Sequence, residues 1–226
     1  MPEKKALLIL RLEGALQAWG EMSKWDFRDS ADFPTKSGIV GLLGCALGLE
    51  RGSPALYDLS KAITVAVRAD RPGLRAVDFQ TVTGNPLRNA EGKPKSGGNT
   101  IISRRAYLQD ACFTIFIETD DTWRARLVSA LKEPKWPLYL GRKNCVPSRP
   151  VLDAVTADYV SLQDALARYP AAERTVFPML CEVERESPVL SGYLRPDHLV
   201  SGNREFALRR VWRGVVKEDT DGSVQN

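Results

Sequence analysis

The residues in this chain best equipped for chemistry are its arginines, which gather in three short windows interleaved with aromatic side chains. Between Asn85 and Tyr107, Arg88, Lys93, Lys95, Arg104 and Arg105 stand against Glu91 alone. Between Lys135 and Arg149, Lys135, Arg142, Lys143 and Arg149 stand against no acid. Between Arg204 and Lys217, Arg204, Arg209, Arg210, Arg213 and Lys217 stand against Glu205. Each window therefore carries a net +4, as does the whole 226-residue chain, because the remainder is acidic. Arginine outnumbers lysine 21 to 11, and its planar fork matches phosphate oxygens and stacks on bases where lysine acts as a point charge. Tyr107, Trp136, Tyr139 and Trp212 lie within the same windows. Basic grooves with aromatic platforms suit single-stranded nucleic acid; the bland alternative is solvated charge over an aromatic core.

Other chemistries find little support. His198 is the one histidine, so a histidine general base has a single candidate, and its setting (RPDHLVSGN) reads as a loop. Asp26, Asp29 and Asp32 at spacing three, and the pair Asp120 and Asp121, lack a histidine partner; they read as a solvated loop and as acids opening a helix. Cys45, Cys112, Cys145 and Cys181 are far apart with no CxxC pair, which argues against zinc and redox motifs and for buried, reduced thiols. No metal, cofactor or catalytic residue is expected. The longest near-apolar stretch, Ile39 to Leu49, has 11 residues, about half of a spanning helix. With no long apolar segment or small-residue cleavage site at the N-terminus, a cytoplasmic protein without a membrane partner is expected. A hydrophobic content of 43% supports a real core in one or two domains.

The elements that must position these residues follow from pattern. Ala6 to Leu12 is a near-continuous apolar run, the mark of a strand covered on both faces. Ser37 is a plausible N-cap for an apolar helix that Gly48 or Gly52 would stop. Ile63 to Ala69 alternates as a second strand. Ala76 to Thr83 and Ile101 to Leu108 form a long hairpin with a tip rich in glycine, proline, asparagine and lysine; alternation puts Arg105 and Tyr107 on one face and Arg104 on the other. Ala111 to Glu118 is a core strand and Trp123 to Leu131 a helix. Four prolines keep Glu133 to Pro150 irregular. Ser161 to Tyr169 reads as a short helix capped by Ser161, Thr175 to Glu184 and Phe206 to Lys217 as strands, and the tail as disordered.

Taken in order, LILRLEGALQAWG, FPTKSGIVGLLGCALGLERG, DFQTV, TIISRRAYLQDACFTI and PLYLGRKNCVPSRPV resemble the CasD family, the subunits of type I-E CRISPR Cascade that bind the 5′ handle of the CRISPR RNA, within the RAMP superfamily. The resemblance covers residues 6 to about 155; beyond it only FALRRVWRGVVK looks familiar. It implies an α+β fold: a ferredoxin-like (RRM-like) palm over 1–155 with a long β-hairpin thumb at about 76–108, and a small C-terminal β-rich extension over 156–217 packed on the palm, with 218–226 as the disordered tail. The last palm strand falls to the 137–155 or the 175–184 region. The implied role is non-catalytic: to grip the handle, cap the backbone filament, dock on the backbone subunit and on the large subunit that reads the PAM, and meet target DNA through the complex. Since some RAMP relatives cut precursor RNA without metal, a metal-independent endoribonuclease is the alternative.

That resemblance assigns RNA contacts residue by residue. Lys36 and Ser37 stand where the free N–H groups and positive end of a helix would hold a phosphate, with simple capping as the alternative. Gln17 and Trp19 follow the first strand, and Trp19 either stacks on a base or anchors the next loop. One of Arg104 and Arg105 faces RNA, beside Tyr107. Arg142 and Lys143 follow Gly141 as in a phosphate-binding turn that Arg149 extends. Arg28 and Thr81 complete the set. Gly38, Gly41, Gly44 and Gly48 form a side-chain-free stripe whose first use is close packing, at a cost of about 3–4 kcal/mol relative to alanine.

Overall fold

In the computed structural model, the described residues are 6–21, 27–84, 86–88, 92–94, 100–173, 179–188, 190–200 and 205–216. Asp26, most of the hairpin tip and the expected disordered tail lie outside them. The elements are β1 (Leu7–Glu13), β2 (Leu16–Gln17), β3 (Phe27–Arg28), α1 (Lys36–Leu47), α2 (Pro54–Ala62), β4 (Thr64–Arg71), β5 (Leu74–Thr83), β6 (Thr100–Gln109), β7 (Cys112–Glu118), α3 (Asp121–Lys132), β8 (Leu152–Thr156), α4 (Leu162–Arg168), β9 (Met179–Val183), β10 (Ser191–Leu199) and β11 (Phe206–Val216).

The near-continuous apolar run of β1 has the expected cause. Leu8, Leu10 and Leu12 enter one core with Ile39 and Leu43 of α1 and Leu127 of α3. Leu7 and Ile9 point the other way, into a second core with Leu162 and Leu166 of α4. A strand buried on both faces leaves little room for polar residues, and its one interior charge, Arg11, is paired with Asp70. The sheet has the order β10-β11-β9-β4-β7-β1-β8, with every pairing antiparallel. The result is a mixed α+β fold around one large antiparallel sheet. Both regions considered for the last palm strand contain a strand of the sheet: β8 pairs with β1 on one side, and β9 with β4 on the other. Among the described residues after 156, β9, β10 and β11 extend the same sheet and α4 packs on its second face.

The hairpin pairs from Leu74↔Gln109 to Thr83↔Thr100. The short strands β2 and β3 bind the other edge of β6, antiparallel and parallel respectively, and so tie the hairpin's base to the loop ahead of α1. Tyr107 is buried, Arg105 half-buried and Arg104 exposed, in line with strand alternation.

Three local readings need correction. Thr35, in extended backbone, caps α1 by accepting a hydrogen bond from the Gly38 amide; Ser37 already lies in the first turn. A second helix, α2, follows at once, with Ser53 as N-cap and Pro54 in its first turn, the pairing that favours helix starts. His198 lies on β10 rather than in a loop. Pro196 disguises that strand in the sequence, and the structure tolerates it where the β10–β11 register shifts between Arg195 and His198, the kind of irregularity in which a sheet accepts proline.

Candidate nucleic-acid interface

A groove of ≈ 840 Å³ runs between the base of the hairpin and the α1–α2 corner. Arg28 of β3, Arg105 of β6 and Arg142 line one side, Ser37, Gly38 and Gly41 of α1 the floor, and Arg51, Trp136, Tyr139 and Phe206 the rest. The groove is lined by five residues expected to meet RNA, Trp19, Arg28, Ser37, Arg105 and Arg142, and adds Arg51, which the sequence reading missed. Arg51 lies outside all three basic windows; its signal was its place one residue before a glycine and two before a helix cap.

The geometry of the turn at Gly141 explains how the irregular segment reaches the groove. Gly141 has φ +88°, and a Cβ there would overlap the carbonyl of Ala18, so only glycine fits this close approach. The Ala18 amide donates to the Leu140 carbonyl at 3.1 Å, and Cys145 and Arg142 close the turn at 2.8 Å. Arg142 is largely committed internally. Its guanidinium donates to the carbonyls of Ala106, Arg28 and Asp29 at 2.9, 3.0 and 2.9 Å and lies 4.7 Å from the Tyr107 ring centre. It is a clamp joining hairpin, loop and turn as well as a groove wall.

Four expected contact residues are interior, and their readings are corrected. Gln17 is fully buried; its amide donates to the carbonyls of Leu12 and Ala111 and its oxygen accepts from the Trp19 indole at 3.1 Å. Trp19 is 1% exposed and packs under α1 against Gly38, which makes it the loop's anchor and not a stacking platform. Tyr107 is buried, with its hydroxyl accepting from Asn144. Lys36 is 5% exposed: its ammonium pairs with Glu184 at 2.9 Å and donates to the Ile63 carbonyl, while its amide donates to Asp197 at 2.8 Å. The positive end of α1 is thus already answered by the protein's own carboxylate.

The remaining residues lie apart from the groove. Thr81 and Arg104 occupy the opposite face of the hairpin, where Arg104 lies over Phe79 at 5.9 Å. Lys143 is exposed beside the groove, near enough to Cys45 for its charge to act on that thiol. Arg149 pairs with Asp153 at 2.8 Å, next to β8 and not in the groove.

In the third basic window Arg209 and Arg213 are committed to internal ion pairs, Arg210 is exposed, and Arg204 and Lys217 lie outside the described residues. Arg209 donates to both oxygens of Asp197 at 2.8 and 2.7 Å, and Arg213 pairs with Glu182. Arg195, 2% exposed, joins Glu182 to Glu21 and to the Phe33 carbonyl. Burial works against the Arg195 charge, but Glu182 and Glu21 outweigh it and raise the pKa further. This desolvated network fastens β10 and β11 to the start of α1. A second cluster under α4 holds Arg11 and Arg68 against Asp70, with Arg68 also donating to the carbonyls of Leu166 and Tyr169 at 2.7 Å. All four cysteines are buried, and burial pushes the thiols of Cys112 and Cys181 up to about 11. Among the described residues no helix is long and apolar enough to cross a membrane, and no cluster of three or more His, Cys, Asp or Glu has metal-binding geometry.

Residues 7–212 match the family described as "CRISPR-associated protein (Cas_Cas5)". The "CRISPR system Cascade subunit CasD" of Escherichia coli (strain K12) is 31% identical over 97% of this chain and 99% of its own length. Among solved structures, a chain of a "CRISPR RNA-guided surveillance complex" superposes with a TM-score of 0.75 at 30% identity, covering 94% of this chain and 90% of that one. A "Crystal structure of Cas protein" superposes with a TM-score of 0.68 at 33% identity, covering 95% of this chain and all of the other.

Proposed function

This chain belongs to the Cas5 family of CRISPR-associated proteins, and we propose that it is a non-catalytic subunit of a Cascade-type complex that holds the 5′ handle of the CRISPR RNA. The observation that carries this reading is the groove, where Arg28, Arg51, Arg105 and Arg142 converge beside Trp136 and Tyr139. Arginines supply phosphate contacts and aromatic rings supply base platforms. Lys143 extends the basic rim. The two acids lining the groove, Glu21 and Asp197, are already paired with Arg195 and Arg209, so they do not offset the arginines.

The same proposal extends to the architecture. The order β8-β1-β7-β4, with α1 and α3 sharing one core, supports a ferredoxin-like palm. Residues 76–108 serve as its thumb and 156–217 as an extension that brings Asp197 and Arg209 to α1. The thumb's outer face, with Val77, Phe79 and Ile102 about half exposed around Arg104 and Thr81, is assigned to a protein neighbour, the backbone or large subunit.

Co-purification with the other complex subunits and CRISPR RNA tests the reading. An Arg28→Ala, Arg105→Ala double variant is expected to recover the complex with several-fold less RNA, and RNA–protein crosslinks are expected within 15–40, 51–53, 80–107 and 136–149. Crosslinks confined to other surfaces would overturn it. Incubated with repeat RNA in EDTA, the purified protein is expected to leave the RNA intact; a site-specific cut abolished by a point substitution would establish the endoribonuclease alternative instead.

A further inference from the structure

Past the arginines, the groove runs into a corner between α1 and α2. Its walls are Gly41, the Arg51–Gly52–Ser53 turn into α2, and Trp136 with Tyr139. Gly41 is exposed, with no atom within 4 Å of where a Cβ would stand, although Gly38 and Gly44 on the same helix are tightly covered by Trp19 and Leu56. An uncovered glycine in mid-helix is unfavourable relative to alanine, and among the described residues nothing packs into the space it leaves. Trp136 is 40% exposed, a large apolar ring held open to solvent. Its backbone is fixed: the Lys135 amide donates to Ala46 at 2.9 Å, and the Cys45 thiol donates to the Pro137 carbonyl at 3.3 Å. Arg51 is exposed, and no acid among the described residues forms an ion pair with it.

We propose that this corner is a nucleobase subsite, in which one unstacked base of the bound RNA lies against the Trp136 indole over Gly41, with an adjoining phosphate on Arg51. This rests on the reading of the groove as an RNA site and adds the place where a single base leaves the stack. An aromatic ring on a fixed backbone beside open space takes a flat base with little reorganisation, and the missing Cβ at position 41 admits it close to the helix. The arginine fork then fixes the neighbouring phosphate. An apolar peptide would make no use of a guanidinium at the mouth of the corner, nor of Arg28, Arg105 and Arg142 along the groove leading to it.

An abasic scan of a synthetic handle-bearing oligoribonucleotide, titrated against the full chain, tests the subsite. For the wild type, one position is expected to lose roughly 5- to 150-fold in affinity when its base is removed, the range for a base stacked on an aromatic ring. In Trp136→Ala that sensitivity should vanish at that position alone, and Trp136→Phe should retain it. Arg51→Gln should keep the abasic profile while making the log–log salt slope shallower by about 0.7. If Arg105→Gln weakens binding but Trp136→Ala keeps the wild-type abasic profile, the subsite is wrong and the groove stands. If neither Arg105→Gln nor Trp136→Ala changes binding, the groove reading falls and takes the subsite with it.

Discussion

Among single residues, charge counted along the sequence was a partial guide. Of the arginines in the first two windows, Arg105 and Arg142 reach the groove while Arg104 and Arg149 do not, and Arg209 and Arg213 are spent on Asp197 and Glu182, which lie on neighbouring strands. Pairing across a sheet joins residues far apart in sequence, so a local count cannot detect it. Arg195 is the centre of that network, and Arg195→Ala leaves Glu182 and Glu21 without their shared cation in a desolvated site. Urea denaturation should show a loss of about 3–5 kcal/mol, the cost of breaking a buried pair from one side. His198 gives a pH signature. Burial, and then the charge of Lys36, hold its pKa below the ordinary 6.5, with Arg209 also opposing protonation and Glu184 and Asp197 favouring it. The unfolded chain therefore binds this proton more readily, and the contribution is complete above pH 6.5 and declines as the pH falls below it. The melting temperature should drop from near pH 7 to about pH 5, and His198→Gln should flatten part of that drop.

Elements with strong periodicity were legible, and those defined by partners were not. β1, β7, α3 and α4 announce themselves by apolar runs or caps, and the hairpin arms by alternation around a polar tip. β10 was hidden because Pro196 and Asp197 break its pattern, and only pairing with β11 makes it a strand. The helix N-terminus expected to hold phosphate is occupied by Asp197, contributed from a strand 161 residues away. Within the hairpin, Arg142 is the residue that holds the base in place through three carbonyls and the Tyr107 ring. Arg142→Ala should speed amide hydrogen exchange in β3 and in the Tyr107 end of β6, while the seven-stranded sheet keeps its protection. Equal exchange in the variant and the wild type would show that β2 and β3 hold the hairpin without the clamp.

For the whole molecule, the fold places a mildly charged chain's arginines where they act together. Ion-pair networks absorb many of them, including Arg11, Arg68, Arg195 and Arg209, while Arg28, Arg51, Arg105 and Arg142 line the groove. The family was readable from five ordered motifs over the first two thirds of the chain, whereas the groove's lining was not, because Arg51, Trp136 and Phe206 come from three separate stretches that only the packing of α2, the post-α3 loop and β11 brings together. The salt dependence of RNA binding tests the central claim most directly. With roughly five phosphate contacts, a handle-bearing single-stranded RNA should bind with a log–log salt slope of about −3.5, and Arg28→Gln, Arg51→Gln and Arg105→Gln together should make it shallower by about 2. A slope near zero, or one that the three substitutions leave unchanged, would contradict the account.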